Sequence, residues 1–239
     1  MANNCWYQMK VSGKPESIRE FIKVIQYEHP IRSLSRVFEA GIDDEESIDA
    51  EGYVHITGDC AWSVHTCMME GQGSYVNDSI NEHRKALLEL EESKKELGND
   101  LIKKAFFNKK KKELESFPNS SLIRESEILN LTIEVFSEEC GLCFSEHLVV
   151  DNGKLLVNDC VDYREYYFEE EDENDTEEQK KEKREEIEEF LEKIKEFDPD
   201  FTEDKIVYGE TMRFGGHGDW NFDEWENAEE DKDLKKEVV

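Results

Sequence analysis

The chain has 239 residues, of which 60 are Asp or Glu and 30 are Lys or Arg, so its formal net charge is −30. Apolar residues make up 37% of the chain, but 13 Phe, 8 Tyr and 4 Trp are present. A fully disordered chain is poor in aromatic residues, so we expect one or two folded domains with strongly acidic additions. A negative surface repels phosphate groups, which argues against a protein that wraps nucleic acid with its overall surface.

The charge is concentrated in the last third of the chain. Residues 161–239 hold 31 acidic and 12 basic side chains, a net charge of −19, whereas residues 1–160 hold 29 and 18, a net charge of −11. We therefore predict a folded domain over 1–161 and an acidic C-terminal extension with a charged helix over 162–239. The sequence has no apolar run of about 18 residues and no signal-peptide pattern. We expect a cytoplasmic protein without a membrane partner.

The first predicted elements follow the hydrophobic periodicity. Alternating apolar and polar residues predict a strand over 4–12, and a helix is expected to open at Pro15, where proline is tolerated in the first turn. Its apolar face is formed by Ile18, Phe21, Ile22 and Ile25. A short strand is predicted over 34–38.

A second strand pair and an insertion are predicted next. Residues 52–57 have the pattern of a strand, Gly58-Asp59 that of a turn, and 60–68 that of a return strand. Leucines at helical spacing predict a helical hairpin inserted over 78–117. This insertion contains the one concentrated basic patch of the chain, formed by Lys103, Lys104, Lys109, Lys110, Lys111 and Lys112 around Phe106 and Phe107.

The fold class follows from the order of the elements. After the insertion, a helix is predicted over 120–129, followed by strands over 131–136, 142–150 and 154–161, with a tight hairpin turn at Asn152-Gly153. Apart from the short strand at 34–38, which lies in an ambiguous segment, and the insertion, the order is strand, helix, strand, strand, helix, strand, strand, strand. It predicts an α+β fold, a ferredoxin-like split βαβ sandwich with a mainly antiparallel sheet whose helices cover one face.

The last part of the chain has a different pattern. A helix is predicted over 176–197, and its second half offers apolar side chains for docking, namely Ile187, Phe190, Leu191, Ile194 and Phe197. Residues 206–208 and 211–214 are predicted to form a short hairpin. The stretch from Gly215 to Trp220 looks like a binding loop, but it lacks the preceding strand and following helix of a phosphate cradle. We therefore expect a mobile linker there.

Two stretches carry a family resemblance. The opening MANNCWYQMKVSGKPESIREFIKVI and the stretch from Leu129 to Phe144, with its continuation through Asp151-Asn152-Gly153, resemble the YubB-like ferredoxin-like proteins of plasmids, phages and mobile elements. The matching features are turns and core positions, so they speak to the fold. The family has no established general activity and no catalytic residues to transfer. The resemblance implies a mobile-element origin, and we expect a phage.

One cysteine motif is a candidate metal site. Cys140 and Cys143 form a C-x₂-C pair, which is half of a zinc site, and His147 and Cys160 are the nearest candidates for further ligands. The pair is predicted at a hairpin, and a second C-x₂-C pair at the usual spacing is missing from the sequence. We therefore expect free thiols and no metal.

Catalytic motifs are not found. His55 and His65 are predicted on facing strands, where they are candidates for a pair of general bases or for a nucleophile pair with Cys67. The preferred interpretation is that they are ordinary side chains of the sheet. The sequence contains no nucleophile elbow, P-loop or H-E-x-x-H motif. We expect a protein that is not an enzyme and has no cofactor.

The charge pattern leads to three hypotheses of function. In the first, carboxylates take the place of phosphates in the basic groove of a host nucleic-acid-binding protein, such as a CRISPR effector, another defence nuclease or polymerase. In the second, the chain is a structural or adaptor protein of a phage. In the third, the lysine insertion contacts nucleic acid, although the net charge makes direct binding unexpected. The carboxylates of the first hypothesis are Glu169, Glu170, Glu171, Asp172, Glu173, Asp175, Glu177, Glu178, Glu182, Glu185, Glu186, Glu188, Glu189 and Glu192.

Overall fold

A computed structural model describes residues 4–70, 74–95, 104–105, 107–109, 111, 119–172, 174–196, 198–218 and 220–225. Its strands are β1 (Asn4–Ser12), β2 (Val37–Asp43), β3 (Tyr53–Ala61), β4 (Thr132–Glu139), β5 (Phe144–Asp151), β6 (Lys154–Tyr167) and β7 (Thr211–Gly215). Its helices are α1 (Pro15–Ile25), α2 (Ser47–Ala50), α3 (Val64–Met68), α4 (Tyr75–Lys95), α5 (Leu122–Leu129) and α6 (Glu177–Lys193). Short 3₁₀ turns lie at Ile194–Glu196 and Glu203–Lys205.

The strands form one antiparallel sheet in the order β2-β3-β1-β4-β5-β6-β7. The predicted α+β class with a mainly antiparallel sheet is therefore confirmed. The Asn152-Gly153 turn is also confirmed, because both residues have positive φ, 44° and 78°, as a type I′ hairpin turn requires. Among the described helices, none is both long enough and apolar enough to cross a membrane.

The main core lies between the sheet and its helices. Alternate residues of β1, namely Cys5, Tyr7, Met9 and Val11, are buried on this side. They pack with the apolar face of α1, whose buried residues are Ile18, Phe21, Val24 and Ile25. The opposite face of the sheet carries Trp6, Lys10 and His55.

Three predicted elements are wrong. Gly58-Asp59 continues β3 instead of turning, and residues 64–68 form α3, whose start is marked by Ser63, the side chain of which accepts a hydrogen bond from the Thr66 amide. The strand predicted over 34–38 lies at Val37–Asp43.

The last predicted hairpin is also wrong. Residues 211–215 form β7, but β7 pairs with β6 and not with residues 206–208. β6 runs to Tyr167, past the predicted boundary at residue 161, and its final residues pair with β7. The division at residue 161 stays a prediction.

Four glutamates are buried, one on α5 and three on the sheet. Glu146 accepts hydrogen bonds from the Val64 amide (2.9 Å) and the Ser137 hydroxyl (2.7 Å), which ties the start of α3 to the sheet. The other three are paired as well, Glu125 with Arg32, Glu134 with His147, and Glu139 with backbone amides of the β4–β5 turn. A buried carboxylate without partners is strongly destabilising, and each of these has partners.

Candidate partner-binding surface

A second apolar cluster fixes the orientation of α6. Phe190 and Ile194 are buried with Phe168 and Ile206, and Ile187 and Leu191 pack against them. The predicted docking of this half of the helix is therefore confirmed, except for Phe197, which lies outside the described residues. The aromatic rings of β6 and β7 that surround Phe190 hold one side of α6 against the end of the sheet.

The side of α6 that points away from this cluster is covered with glutamates. We call this surface the glutamate face, and its members are Glu177, Glu178, Glu182, Glu185, Glu186, Glu188, Glu189 and Glu192, all exposed. At about 100° per residue these positions span roughly half of the helix circumference. Thr176 starts the helix with a capping box in which its side chain and that of Gln179 bond reciprocally to the backbone.

Most of the glutamate face has no cationic partner. Lys181 pairs with Glu185 at 3.2 Å and Lys193 pairs with Glu189 at 2.6 Å. Within the described residues, the other six glutamates of the face have no ion pair. Along the axis, the eight carboxylates cover 15 rises of about 1.5 Å, so they occur about every 3 Å, close to the ~3.4 Å phosphate spacing of one nucleic-acid strand.

Part of the acidic loop before α6 is paired with the helix itself. Arg184 contacts both oxygens of Glu171, at 2.6 and 3.0 Å, and the hydrogen bond lowers the pKa of Glu171. Lys183 contacts Asp175 at 2.9 Å and the Glu170 carbonyl at 2.8 Å. These contacts fold the loop onto the helix, so Glu171 and Asp175 are bound internally. Glu169, Glu170 and Asp172 remain exposed, and Glu173 lies outside the described residues.

A C-terminal segment covers the open face of the sheet. We call residues 216–218 and 220–225 the C-terminal strap. Trp220 stacks on Trp6 with ring centroids 4.8 Å apart and an interplanar angle of 20°, and Phe222 lies 5.3 Å from both Phe136 and His55. These contacts are those of a packed segment and not of the linker that the glycines predicted. The aromatic residues among 220–225 were the signal in the sequence that pointed to packing.

Charged and polar contacts fasten the strap further. Asp223 pairs with Lys10 of β1, and its amide donates to Glu134 at 2.8 Å. Glu134 also contacts His147 at 2.8 Å, and His147 stacks on Phe136 with centroids 4.1 Å apart. The strap therefore reaches β1, β3, β4 and β5.

Ser145, His217 and Asp159 form a chain that resembles a hydrolase triad. Ser145 Oγ lies 2.8 Å from His217 Nδ1, and His217 Nε2 lies 3.4 Å from Asp159 Oδ2. Ser145 is 0% exposed, and its Oγ also accepts the His217 amide at 3.0 Å. A nucleophile must reach a substrate carbonyl, which this hydroxyl cannot do beneath the strap. The three residues fasten the strap to β5 and β6.

The four candidate ligands of the cysteine motif are spread over the β4–β5 turn, β5 and β6. Cys140 and Cys143 lie in the β4–β5 turn, His147 binds Glu134, and Cys160 lies on β6. Within the described residues, no group of three or more His, Cys, Asp and Glu has the arrangement of a metal site. The placement of His55 and His65 on facing strands is wrong, because His65 lies in α3 with Cys67.

The lysine patch is only partly described. Lys104, Lys109 and Lys111 are exposed, whereas Lys103, Lys110 and Lys112 lie outside the described residues. Lys111 and Phe107 line a shallow cleft with Leu87 and Leu90 of α4. Nucleic-acid contact by this patch stays a prediction.

A scan of family models, a search of curated proteins and a search of solved structures returned no match to this chain.

Proposed function

We propose that the protein inhibits a host nucleic-acid-binding protein by placing the glutamate face of α6 in its basic groove. The observation that carries this proposal is the glutamate face itself: its eight exposed carboxylates occur about every 3 Å along the helix axis, and six of them have no ion pair among the described residues. The apolar side of α6 is fixed by Phe190 and its neighbours, so the carboxylates are presented on a rigid element. Preorganised charge loses less conformational entropy on binding than charge on a mobile segment.

The order of the elements supports the family assignment that we propose alongside this function. β1, α1, β2, β3, α5 and β4 occur in this order along the chain, with α2 before β3 and α3 and α4 before α5, and the sheet order is β2-β3-β1-β4. This order supports our proposal of a ferredoxin-like split βαβ sandwich over residues 1–161, with residues 162–239 as an acidic extension. We propose a YubB-like relationship, a phage or mobile-element origin and action in the host cytoplasm.

The target that fits this chemistry is a protein with a long positive groove. Defence nucleases, including CRISPR effectors, and polymerases have such grooves because they hold nucleic acid by its phosphates. Association between opposite charged surfaces is fast and weakens as salt screens them. In this proposal the protein acts by occupancy, without catalysis and without a cofactor.

The test compares two variants of the full chain with equal charge. In the first, Glu178, Glu182, Glu186 and Glu192 of the glutamate face are changed to Gln. In the second, four exposed glutamates elsewhere are changed to Gln, namely Glu28, Glu45, Glu91 and Glu92. Each is immobilised, host lysate is passed over it in low salt, and captured proteins are eluted with a DNA duplex and then with about 0.5 M salt.

The proposal predicts that the wild type and the second variant capture a nuclease or polymerase complex that the duplex displaces. If each exposed charge contact contributes about 0.5 kcal/mol, the first variant loses about 2 kcal/mol, roughly a thirtyfold weaker affinity. Equal capture by both variants would contradict the proposal and favour a role as a structural or adaptor protein. Capture of nucleic acid itself would favour the lysine insertion as the functional surface.

A further inference from the structure

A basic cleft lies between three segments that are far apart along the chain. It has a volume of about 200 Å³. Its lining residues come from the segment after α1, from one face of α4, and from the start of α5, and they are Ile31, Arg32, Ile80, His83, Arg84, Leu87, Asn119 and Arg124. None of them belongs to the glutamate face or to the C-terminal strap.

The polar wall of the cleft is held in place by the protein itself. Arg32 pairs with the buried Glu125 at 2.8 Å and with Glu20 at 3.4 Å. Asn119 donates to the Ile31 carbonyl at 2.6 Å and accepts from the Ser33 amide at 3.2 Å. The wall is therefore preorganised, and a ligand would not have to order it.

Two arginines of the cleft have no acidic partner among the described residues. Arg84 and Arg124 have exposed side chains and no ion pair within the described part of the chain. In a protein with twice as many acidic as basic residues, two unpaired arginines on one small cleft are unexpected. Because Arg32 is balanced by Glu125 and Glu20, the uncompensated charge that Arg84 and Arg124 bring to the cleft is about +2.

His83 reports on this positive environment. Burial lowers the pKa of its imidazole, and the nearby charge of Arg124 lowers it further. Its Nε2 lies 3.5 Å from the amide nitrogen of Asn119. An anion in the cleft would oppose the effect of Arg124 and raise this pKa.

We propose that the cleft binds a phosphate monoester carried by a small organic molecule. A phosphate monoester has a charge close to −2 near pH 7, which matches the two unpaired guanidinium groups, and guanidinium forks bind phosphate oxygens in pairs. Ile31, Ile80 and Leu87 provide an apolar surface for the organic part. The cleft accommodates a ring-sized group and is too small for a folded polypeptide.

The test uses phenyl phosphate as the probe and the full chain as the protein. Binding is followed by NMR through the His83 ring signals, with inorganic phosphate, benzoate and phenol as comparison ligands. The variant Arg84→Gln/Arg124→Gln removes the proposed contacts. The control variant Lys85→Gln removes one exposed positive charge of the neighbouring position on α4.

The proposal predicts saturable binding of phenyl phosphate with an upward shift of the His83 pKa, at least tenfold weaker binding in the double variant, and unchanged binding in the control. Inorganic phosphate should bind more weakly, because it lacks the apolar part. Equal binding of phenol would overturn the role of the arginines, and equal binding of benzoate would overturn the assignment to a dianion. Unchanged binding in the double variant, or no shift of the His83 signals with any ligand, would overturn the site.

Discussion

Replacing Phe190 by Ala should unfold the acidic helix without unfolding the main sheet. Phe190 is 2% exposed and lies in the second apolar cluster, with ring centroids of Tyr166 at 4.6 Å and Phe168 at 4.9 Å. Removing a buried Phe costs about 3–5 kcal/mol. The second cluster has only four buried apolar residues, so a loss of about 4 kcal/mol exceeds what its remaining contacts can absorb.

Native-state hydrogen exchange measures this effect region by region. A loss of about 4 kcal/mol raises the population of the state in which α6 is locally unfolded by roughly a thousandfold. The protection factors of the amides in α6 and β7 should therefore fall by about that factor. Amides of β1, β3 and β4 should keep theirs, because they belong to the main core. Phe38→Ala is the matched control, since Phe38 is 57% exposed and its removal should change little. Equal loss of protection in β1 would refute the reasoning and show one cooperative unit.

Three further predictions concern the sheet and the strap. Gly58→Ala should lower the stability measured by thermal denaturation by several kcal/mol, because a Cβ there would lie 1.9 Å from the Glu39 carbonyl oxygen. Gly41→Ala is the control and should be tolerated, because its nearest contact would be at 3.5 Å. Equal effects of the two substitutions would contradict this prediction. Burial keeps the pKa of His217 below its ordinary value of 6.5, so the unfolded chain binds more protons and the free energy of unfolding should fall as pH drops from about 6.5 to 5. In urea titrations His217→Gln should make this pH dependence less steep. An unchanged pH dependence would show that His217 does not cause it. Glu146→Ala should cost roughly 2–5 kcal/mol because it leaves buried donors unpaired, and Glu146→Gln should cost less; the reverse order would contradict the capping role.

Local patterns predicted the parts of the fold that depend on local chemistry. β1 and α1 follow the alternation and the helical spacing of their apolar residues, and the Asn152-Gly153 turn follows from residues that accept positive φ. α3 was missed because five helical residues are too few to show a period, although Ser63 is a regular N-cap residue. Gly58 suggests a turn in the sequence, but it lies within β3. Glycine is needed at this strand position because the Glu39 backbone leaves no room for a side chain.

The surfaces were predicted less well than the elements, for a physical reason. The run of carboxylates from Glu169 to Glu192 is visible in the sequence, but which of them are paired depends on where Lys183 and Arg184 reach in three dimensions. The strap and the basic cleft join residues that are far apart along the chain. Arg32, Arg84 and Arg124 have no shared spacing, so only the fold brings them together.

The strap also constrains how the protein is made. The pair formed by Lys10 and Asp223 joins residues 213 positions apart, so the contacts of the strap with the sheet cannot form until Asp223 has left the ribosome. At about 5–20 residues per second, synthesis of that interval takes roughly 10–40 seconds. During this time Trp6 and Phe136 lack the ring of Trp220, and a nascent chain would expose an aromatic sheet face that the finished protein covers. A truncated product that ends before residue 216 would keep that face uncovered permanently, and we expect it to aggregate where the full chain stays dispersed.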